Sequence, residues 1–378
     1  MINVEILNMD VLAGLATLDD ESVNCCVTSP PYWGHRQYFF DGAVILKRDM
    51  PEDVREMVAA QLKQVIYDIK EIPEHLHQYF EPVPQLGLEP TLADYVARMV
   101  EVFREVRRVL RKDGTLWLNL GDSYAASRSN NGGYSDKSTL CGFTNSNTKG
   151  RKAADAAKPK RLIHGLKLKD LVGMPWRVAF ALQADGWWLR QDIIWHKLNS
   201  LPERVTDRCT KAHEYIFLLA KSARYHYDAE AVREPYMSGP ADLKRMRERK
   251  ERLGGNSLGH GDVLNAASAR TKVGTTRSAG LPDGRNMRDV WTIATHSFRG
   301  AHVAVFPEEI PRRCILAGCP EGGTVLDPFG GAGTTGLVAA KLGRNSVMCE
   351  LNPDYAEMAR ARIDAACGSM CAVVMEAR

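Results

Sequence analysis

The 378-residue chain lacks the features that mark membrane, secreted and zinc-binding proteins. Its longest apolar runs, such as residues 216–220, are far too short to cross a bilayer. The first residues include Glu5 and no basic segment, so we expect no signal peptide. Nine cysteines form no Cys-x-x-Cys pair and no cluster with histidine at zinc-ligand spacing. These absences predict a reduced, cytoplasmic protein without a structural metal or a membrane partner.

The chain also lacks a strong net charge, but its basic residues are unevenly distributed. The formal net charge is +4, and residues 137–169 hold nine Lys and Arg residues against one acid. A second basic run lies between residues 244 and 252. One such run is most often a solvated surface. Two runs that flank chemically informative motifs indicate a polyanionic partner.

Short apolar segments alternate with amphipathic ones along most of the chain. The pattern predicts strands at 4–7, 23–28, 115–120, 187–195, 214–220, 324–326 and 346–349, and helices at 92–111, 175–184, 334–342 and 353–366. This alternation predicts an α/β fold with a doubly wound, mostly parallel sheet. Buried thiols are expected at Cys25 and Cys26, and core positions at Trp187, Trp188 and Trp195.

A glycine-rich turn follows the predicted strand at 324–326. Gly331, Gly333 and Gly336 match the pattern G-x-G-x-x-G, in which backbone approaches a ligand at a helix N-terminus. Glu350 ends the next predicted strand, where it would reach ribose hydroxyls. The turn fits either a dinucleotide or an adenosyl cofactor. No Gly-Lys-Ser/Thr follows, which excludes a Walker-type phosphate loop.

Two features of this turn favour the adenosyl cofactor. The turn lies near the C-terminus with only one further predicted strand, whereas dinucleotide folds usually place it near the start of the domain. Asp327, Pro328 and Phe329 add an acid and a ring, which suit a sulfonium cofactor without phosphates. An NAD-dependent oxidoreductase remains the alternative that this turn allows.

A second motif, Ser29-Pro30-Pro31-Tyr32, directly follows the predicted strand at 23–28. An exocyclic amine on a base is a poor nucleophile because its lone pair delocalises into the ring. Hydrogen-bond acceptors preorganised around its N–H groups would make the nitrogen more reactive. Ser29 Oγ and the Pro30 carbonyl are the candidate acceptors, and Tyr32 offers a ring on which a flipped-out base can stack. A proline turn after a strand also occurs for structural reasons alone.

Together the two motifs resemble those of the amino-group DNA methyltransferases of the permuted, β-type order. Residues 113–122, 195–197 and 211–214 also resemble core stretches of that family. The resemblance implies a Rossmann-like, S-adenosylmethionine-dependent methyltransferase domain in residues 1–235 and 290–378. It also implies a mobile or DNA-contacting insertion at 39–88 and a target-recognition region at 236–289. Residues 127–160 are rich in Ser, Asn, Gly and Lys, and this composition predicts a mobile insertion.

The resemblance assigns roles to individual residues. The catalytic residues would be Ser29, Pro30, Pro31 and Tyr32. Cofactor contacts would come from Asp10, His302, Phe306, Asp327, Pro328, Phe329, Gly331, Gly333, Thr334, Thr335, Glu350 and Asn352. The basic charge, rather than the resemblance, predicts DNA contacts from Lys244, Arg245, Arg247, Arg249 and Lys250, and from Arg36, which could instead pair with an acid.

Serine at the first motif position resembles the cytosine-N4 enzymes, while aspartate is more frequent in the adenine-N6 enzymes. We therefore expect a site-specific methyltransferase that acts on cytosine N4 in double-stranded DNA, with adenine N6 as the alternative. A DNA-binding protein that has lost activity is a third hypothesis, although the tetrapeptide is intact. The sequence leaves open a homodimer, a cognate restriction endonuclease and the recognition sequence.

Overall fold

The computed structural model describes most of the chain outside the predicted insertions. The described residues are 2–33, 43–46, 67–68, 72, 74–82, 86–125, 165–167, 169–235, 284–295, 305–368 and 371–377. The chain divides into two compact units, Met1–Tyr227 with Asp289–Arg378, and Asp228–Arg288. Within these ranges no helix is long and apolar enough to span a membrane, and no three potential metal ligands cluster.

A nine-stranded sheet forms the centre of the larger unit. In the described residues the strands are β1 (Ile2–Asn8), β2 (Val23–Thr28), β3 (Ala43–Leu46), β4 (Tyr67–Asp68), β5 (Phe80–Pro82), β6 (Leu110–Leu120), β7 (Trp188–Lys197), β8 (His213–Ala220), β9 (Val290–Ile293), β10 (Thr324–Asp327), β11 (Asn345–Cys349) and β12 (Cys371–Ala377). The sheet has the order β12-β1-β11-β10-β2-β6-β8-β7-β9. Adjacent strands are parallel from β12 through β6, and β7 and β9 are also parallel to each other. Strand β8 runs antiparallel to both of its neighbours, β6 and β7.

Helices cover both faces of this sheet. They are α1 (Val11–Ala16), α2 (Leu92–Val109), α3 (Met174–Ala184), α4 (Glu309–Gly318), α5 (Thr334–Lys341) and α6 (Pro353–Cys367). Side chains of α1, α2 and α3 share one core with Leu7, Cys26 and Leu326. Side chains of α5 and α6 share another core with Ile6 and Met348, which point to the opposite face. The arrangement confirms the predicted doubly wound, mostly parallel α/β sheet.

Local signals explain why the predicted elements form where they do. Helix α2 begins with a capping box, in which the Thr91 hydroxyl accepts from the backbone of Asp94 and the Asp94 carboxylate accepts from that of Thr91. Its apolar stripe is buried, as the periodicity predicts. Strand β2 has the predicted bounds, and Cys25 and Cys26 are buried thiols.

The structure corrects two predictions. Strand β12 is a second strand after the glycine-rich turn, so the expectation of one further strand was wrong. Its run of apolar residues is too short for periodicity to separate strand from helix. Trp188 is 49% exposed rather than part of the core, whereas Trp187 and Trp195 are buried. In the described part of the chain, β9 pairs with β7 only from Ile194 onward, and Trp188 lies ahead of that pairing.

The predicted insertions are described only in part. Within residues 39–88, strands β3, β4 and β5 form a small antiparallel sheet of the order β4-β3-β5. Residues 127–160 lie outside the described residues. The compact unit Asp228–Arg288 overlaps the predicted target-recognition region, and a bridge between Glu234 and Arg285 joins its two described ends. The recognition role of that region stays a prediction.

Candidate active site

The structure brings the two sequence motifs together at the carboxyl ends of adjacent parallel strands. Strands β2 and β10 pair in register at Cys26 and Leu326. At their ends, the Thr28 hydroxyl donates a hydrogen bond of 2.6 Å to Asp327 Oδ1. Tyr32 and Phe329 pack against the same apolar core. A ligand at this edge of the sheet can therefore reach both the proline loop and the glycine-rich turn.

Asp327 is the point at which these elements are joined. Its side chain is 1% exposed, and burial raises the pKa of the carboxyl group. Besides Thr28, it accepts hydrogen bonds from the Phe329 backbone at 3.1 Å and from the Thr335 hydroxyl at 2.7 Å. These bonds tie β2, β10 and the first turn of α5 to one carboxylate. The structure thus places Asp327 inside the protein, where it supports the turn.

The glycines of the turn permit close packing between protein elements. Gly333 has φ +74°, and a Cβ there would lie 2.7 Å from the Cβ of Ala359 on α6. A Cβ on Gly336 would lie 2.5 Å from Met348 Cε on β11. The sequence interpretation favoured close approach of a ligand as the reason for these glycines, with a purely structural turn as the alternative. The structure shows that Gly333 and Gly336 are required for packing α5 against its neighbours.

Glu350 follows β11 and borders the same turn. Its Oε2 accepts from the Gly331 backbone at 2.7 Å, and its Oε1 accepts from the Asn352 backbone at 2.8 Å. Burial is the main reason that the pKa of Glu350 rises to about 7, and the two backbone donors oppose it. The carboxylate is therefore held in a fixed orientation beside the turn, with a second lone pair on each oxygen for a further donor.

Other predicted cofactor residues support the local structure. Asp10 caps α1 by accepting from the Leu12 backbone at 3.0 Å, and Asn352 caps α6 by accepting from the Asp354 backbone at 2.9 Å. The Thr334 hydroxyl is buried and accepts from Arg362 at 3.0 Å. Phe306 is half-buried just before α4, and Pro328 is buried within the turn. Outside the described residues lie His302, Arg36, Lys244, Arg245, Arg247, Arg249 and Lys250.

The proline loop presents a different acceptor at each position. The Pro31 carbonyl accepts a 3.0 Å hydrogen bond from the hydroxyl of Tyr95, a buried residue of α2. In the described part of the chain, no donor binds the Pro30 carbonyl. The Ser29 side chain is half-buried, and its hydroxyl oxygen can accept a hydrogen bond. Ser29 Oγ and the Pro30 carbonyl remain as acceptors for a ligand.

Tyr32 is anchored by residues that the sequence reasoning did not identify. Its hydroxyl donates to Glu214 Oε2 at 2.8 Å, and Glu214 forms an ion pair with Lys197. Asn119 donates to the same Glu214 oxygen at 3.3 Å. Burial and then the Glu214 charge raise the pKa of Tyr32 well above its usual value. The sequence signal for these three partners was only their place in stretches that resemble the family core.

Comparison with known proteins identifies the family of the chain. Residues 23–361 match the DNA methylase family of N6 and N4 methyltransferases. The chain is 38% identical over 354 residues to the Type II methyltransferase M.SmaI of Serratia marcescens, covering 94% of this chain and 88% of that protein. It is 37% identical over 361 residues to M.Cfr9I of Citrobacter freundii, covering 94% and 85%. The structure of the PvuII DNA methyltransferase, described as cytosine-N4-specific, has a similar fold, with a TM-score of 0.51. The two sequences are 15% identical, and the match covers 98% of this chain and 93% of that one.

Proposed function

The chain belongs to the DNA methylase family of N6 and N4 methyltransferases, and on that premise we propose that it methylates cytosine N4 at a specific site in double-stranded DNA. Its cofactor is S-adenosylmethionine, whose sulfonium supplies an activated methyl group. One observation carries the proposal. The 2.6 Å hydrogen bond between Thr28 and Asp327 holds the proline loop beside the glycine-rich turn. An amine bound by the loop would then lie next to a methyl donor bound at the turn.

The residues around the turn fit an adenosyl cofactor. Glu350 presents a fixed carboxylate at the end of β11, which suits the two hydroxyls of a ribose. Phe306 and Phe329 offer half-buried rings. Asp10 follows β1, the strand that pairs with β11, and the resemblance to the family implies that it would contact the adenine ring. Asp327, Thr334 and Thr335 would act from inside the protein by shaping the turn.

The proline loop would activate the amine. Ser29 Oγ and the Pro30 carbonyl accept its two N–H groups, which favours a tetrahedral nitrogen with an available lone pair. Because Tyr95 binds the neighbouring Pro31 carbonyl, the peptide is held before the substrate arrives. The amine held in this way would form a bond to the methyl carbon of the cofactor as the carbon–sulfur bond breaks. S-adenosylhomocysteine would be the leaving group, and the surplus proton would pass to water. Tyr32 stacks on the base that has left the duplex.

The proposal also covers the target base, the DNA contacts, the cellular location and the partners. Ser29 at the first motif position favours cytosine N4, and adenine N6 is the alternative because a serine hydroxyl can accept from either amine. Lys244, Arg245, Arg247, Arg249 and Lys250 would hold phosphates, as would Arg36. We place the activity in the cytoplasm. A homodimer and a cognate restriction endonuclease stay predictions.

Nucleoside analysis tests the proposal directly. Unmethylated DNA of mixed sequence is incubated with the protein and S-adenosylmethionine, digested to nucleosides and analysed by mass spectrometry. We expect N4-methylcytosine. N6-methyladenine would move the target to the alternative base, and absence of any methylated nucleoside would contradict the activity. A parallel reaction without cofactor is the control, and binding of NAD in place of S-adenosylmethionine would favour the oxidoreductase hypothesis.

A further inference from the structure

Three strands contribute to a polar cluster at the hydroxyl group of Tyr32. Asn119 is the penultimate residue of β6, Lys197 ends β7, and Glu214 lies at the start of β8. These ends meet because β8 runs antiparallel to both neighbours, so that Trp195 of β7 pairs with Glu214. We name Asn119, Lys197 and Glu214 the β6–β8 cluster. The loop after β2 thus reaches across β6 to the antiparallel part of the sheet.

The β6–β8 cluster holds one carboxylate in a defined position. The Glu214 side chain is 14% exposed and pairs with Lys197, whose ammonium lies 4.6 Å above the ring centre of Trp195. The buried Asn119 amide donates to Glu214 at 3.3 Å and to the Tyr215 carbonyl at 3.1 Å. A charge that is largely removed from water needs such partners to be stable. Glu214 therefore has little freedom to follow Tyr32 if the ring moves.

The ring of Tyr32 is limited from a second side by the backbone. A Cβ on Gly121, just beyond β6, would lie 2.6 Å from Tyr32 Cε2. The ring therefore rests directly on the main chain of Gly121. Contact at the ring edge and a 2.8 Å hydrogen bond from the hydroxyl to Glu214 define both the position and the plane of the ring. A base can stack well only if that plane is set in advance.

We propose that Glu214 is a positioning residue that orients Tyr32 for the flipped base, and that Lys197 and Asn119 hold Glu214 in place. The inference rests on the proposed function and adds residues that contact neither the base nor the cofactor. Loss of Glu214 leaves the Tyr32 ring against Gly121, but its hydroxyl then keeps only the longer hydrogen bond of 3.3 Å to Asn119 Oδ1, so the ring is held less firmly. Loss of Glu214 should therefore lower kcat/KM for DNA and leave the affinity for S-adenosylmethionine unchanged, because the cofactor binds at the glycine-rich turn.

A double-mutant cycle tests this coupling. The variants are Glu214→Ala, Tyr32→Phe and the double variant, and the assay is transfer of a labelled methyl group to unmethylated DNA. We expect Glu214→Ala to lower kcat/KM for DNA about tenfold. Tyr32→Phe, which keeps the ring and removes the hydroxyl, should lower it at least as much. In the Tyr32→Phe background, Glu214→Ala should cost nothing further.

Further variants separate positioning from general damage. Glu214→Gln retains an oxygen that can accept from Tyr32, so it should recover most of the activity that Glu214→Ala loses. The affinity for S-adenosylmethionine should be unchanged in all of them. Glu357→Ala, which removes an exposed partner of Arg360 on α6, is the matched control and should leave activity as it is.

The outcomes distinguish this inference from the proposed function. If the unaltered protein methylates no base, the proposed function fails. If it methylates DNA but Tyr32→Phe retains full activity, the positioning role is wrong. The role is equally wrong if Glu214→Ala costs the same with and without the Tyr32 hydroxyl. The Tyr32→Phe result stands even if Glu214→Ala does not fold.

Discussion

At the residue scale, Ser29 is the side chain assigned to the reacting amine. Ser29→Ala removes one acceptor and should lower kcat about 100- to 1,000-fold, as loss of a preorganised hydrogen-bonding group does in other sites. The affinity for S-adenosylmethionine should stay the same, because the residues assigned to the cofactor lie outside the proline loop. Single-turnover methylation and calorimetric titration measure the two quantities. Equal loss of both would contradict the assigned role.

Also at the residue scale, the raised pKa of Glu350 should make the affinity for S-adenosylmethionine depend on pH. Its pKa of about 7 lies above the ordinary carboxyl value, so the ionised acceptor for a ribose is lost as pH falls through 7. If only the ionised form binds, affinity should be about tenfold weaker at pH 6 than at pH 8. Titration of S-adenosylmethionine at both values measures this difference. Glu350→Gln should bind more weakly and show no such dependence.

The raised pKa of Glu350 also affects the free energy of unfolding, and this quantity changes with pH in the opposite direction to cofactor affinity. Because the folded-state pKa is raised, folded Glu350 binds a proton between pH 4.5 and about 7 that the unfolded chain does not bind. The contribution of this group to the free energy of unfolding therefore decreases as pH rises through that window. Cofactor affinity rises over the upper part of the same window. If cofactor affinity and the free energy of unfolding rose together with pH, a group other than Glu350 would be responsible for the pH dependence.

At the element scale, helix α5 offers a matched pair of glycines at its two ends. Gly333 and Gly343 have φ +74° and +75°, but only the Cβ position of Gly333 is filled, whereas nothing lies within 4 Å of that of Gly343. Gly343→Ala should cost about 1–2 kcal/mol from backbone strain. Gly333→Ala should cost about 1–3 kcal/mol more because of the collision with α6.

Urea unfolding of the two variants measures this difference. Equal losses would show that α6 moves away freely, and that the turn before α5 is not set by helix packing. Cofactor affinity provides a second readout, since displacement of α5 would disturb the turn that Gly331 shares with Glu350. Gly343→Ala should leave that affinity unchanged.

At the scale of the whole molecule, the basic segment at 244–252 should govern DNA affinity. Replacing Lys244, Arg245 and Arg247 with alanine removes charges that would neutralise phosphates. The dependence of log K on log salt should then become shallower by about one unit for each phosphate that is no longer neutralised. Fluorescence anisotropy on duplex DNA across a salt series measures the slope. An unchanged slope, with S-adenosylmethionine binding intact, would identify the segment as a solvated surface.

Much of the fold was predictable because its signals are local. Apolar segments predicted β2 with its observed bounds, and a capping box marked the start of α2. Elements with weak local signals were missed. These are α1, β9, β12 and the short strands β3 to β5, of which α1 and β9 span only six and four residues. Their stability comes from neighbours in the sheet or on its faces, so their own residues carry little periodicity. Helix α4 was missed as well, although its ten residues are amphipathic.

By itself, the sequence determined the fold class, the family, the cofactor and the two motifs that carry the chemistry. Motifs are runs of neighbouring residues, and their order along the chain is enough to recognise them. Only the tertiary structure decided which groups meet in space. It joined Thr28 to Asp327, bound the Pro31 carbonyl to Tyr95 and placed Glu214 at the hydroxyl group of Tyr32. These partners lie 299, 64 and 182 positions apart, and contacts at such separations follow from strand order, which no local pattern encodes.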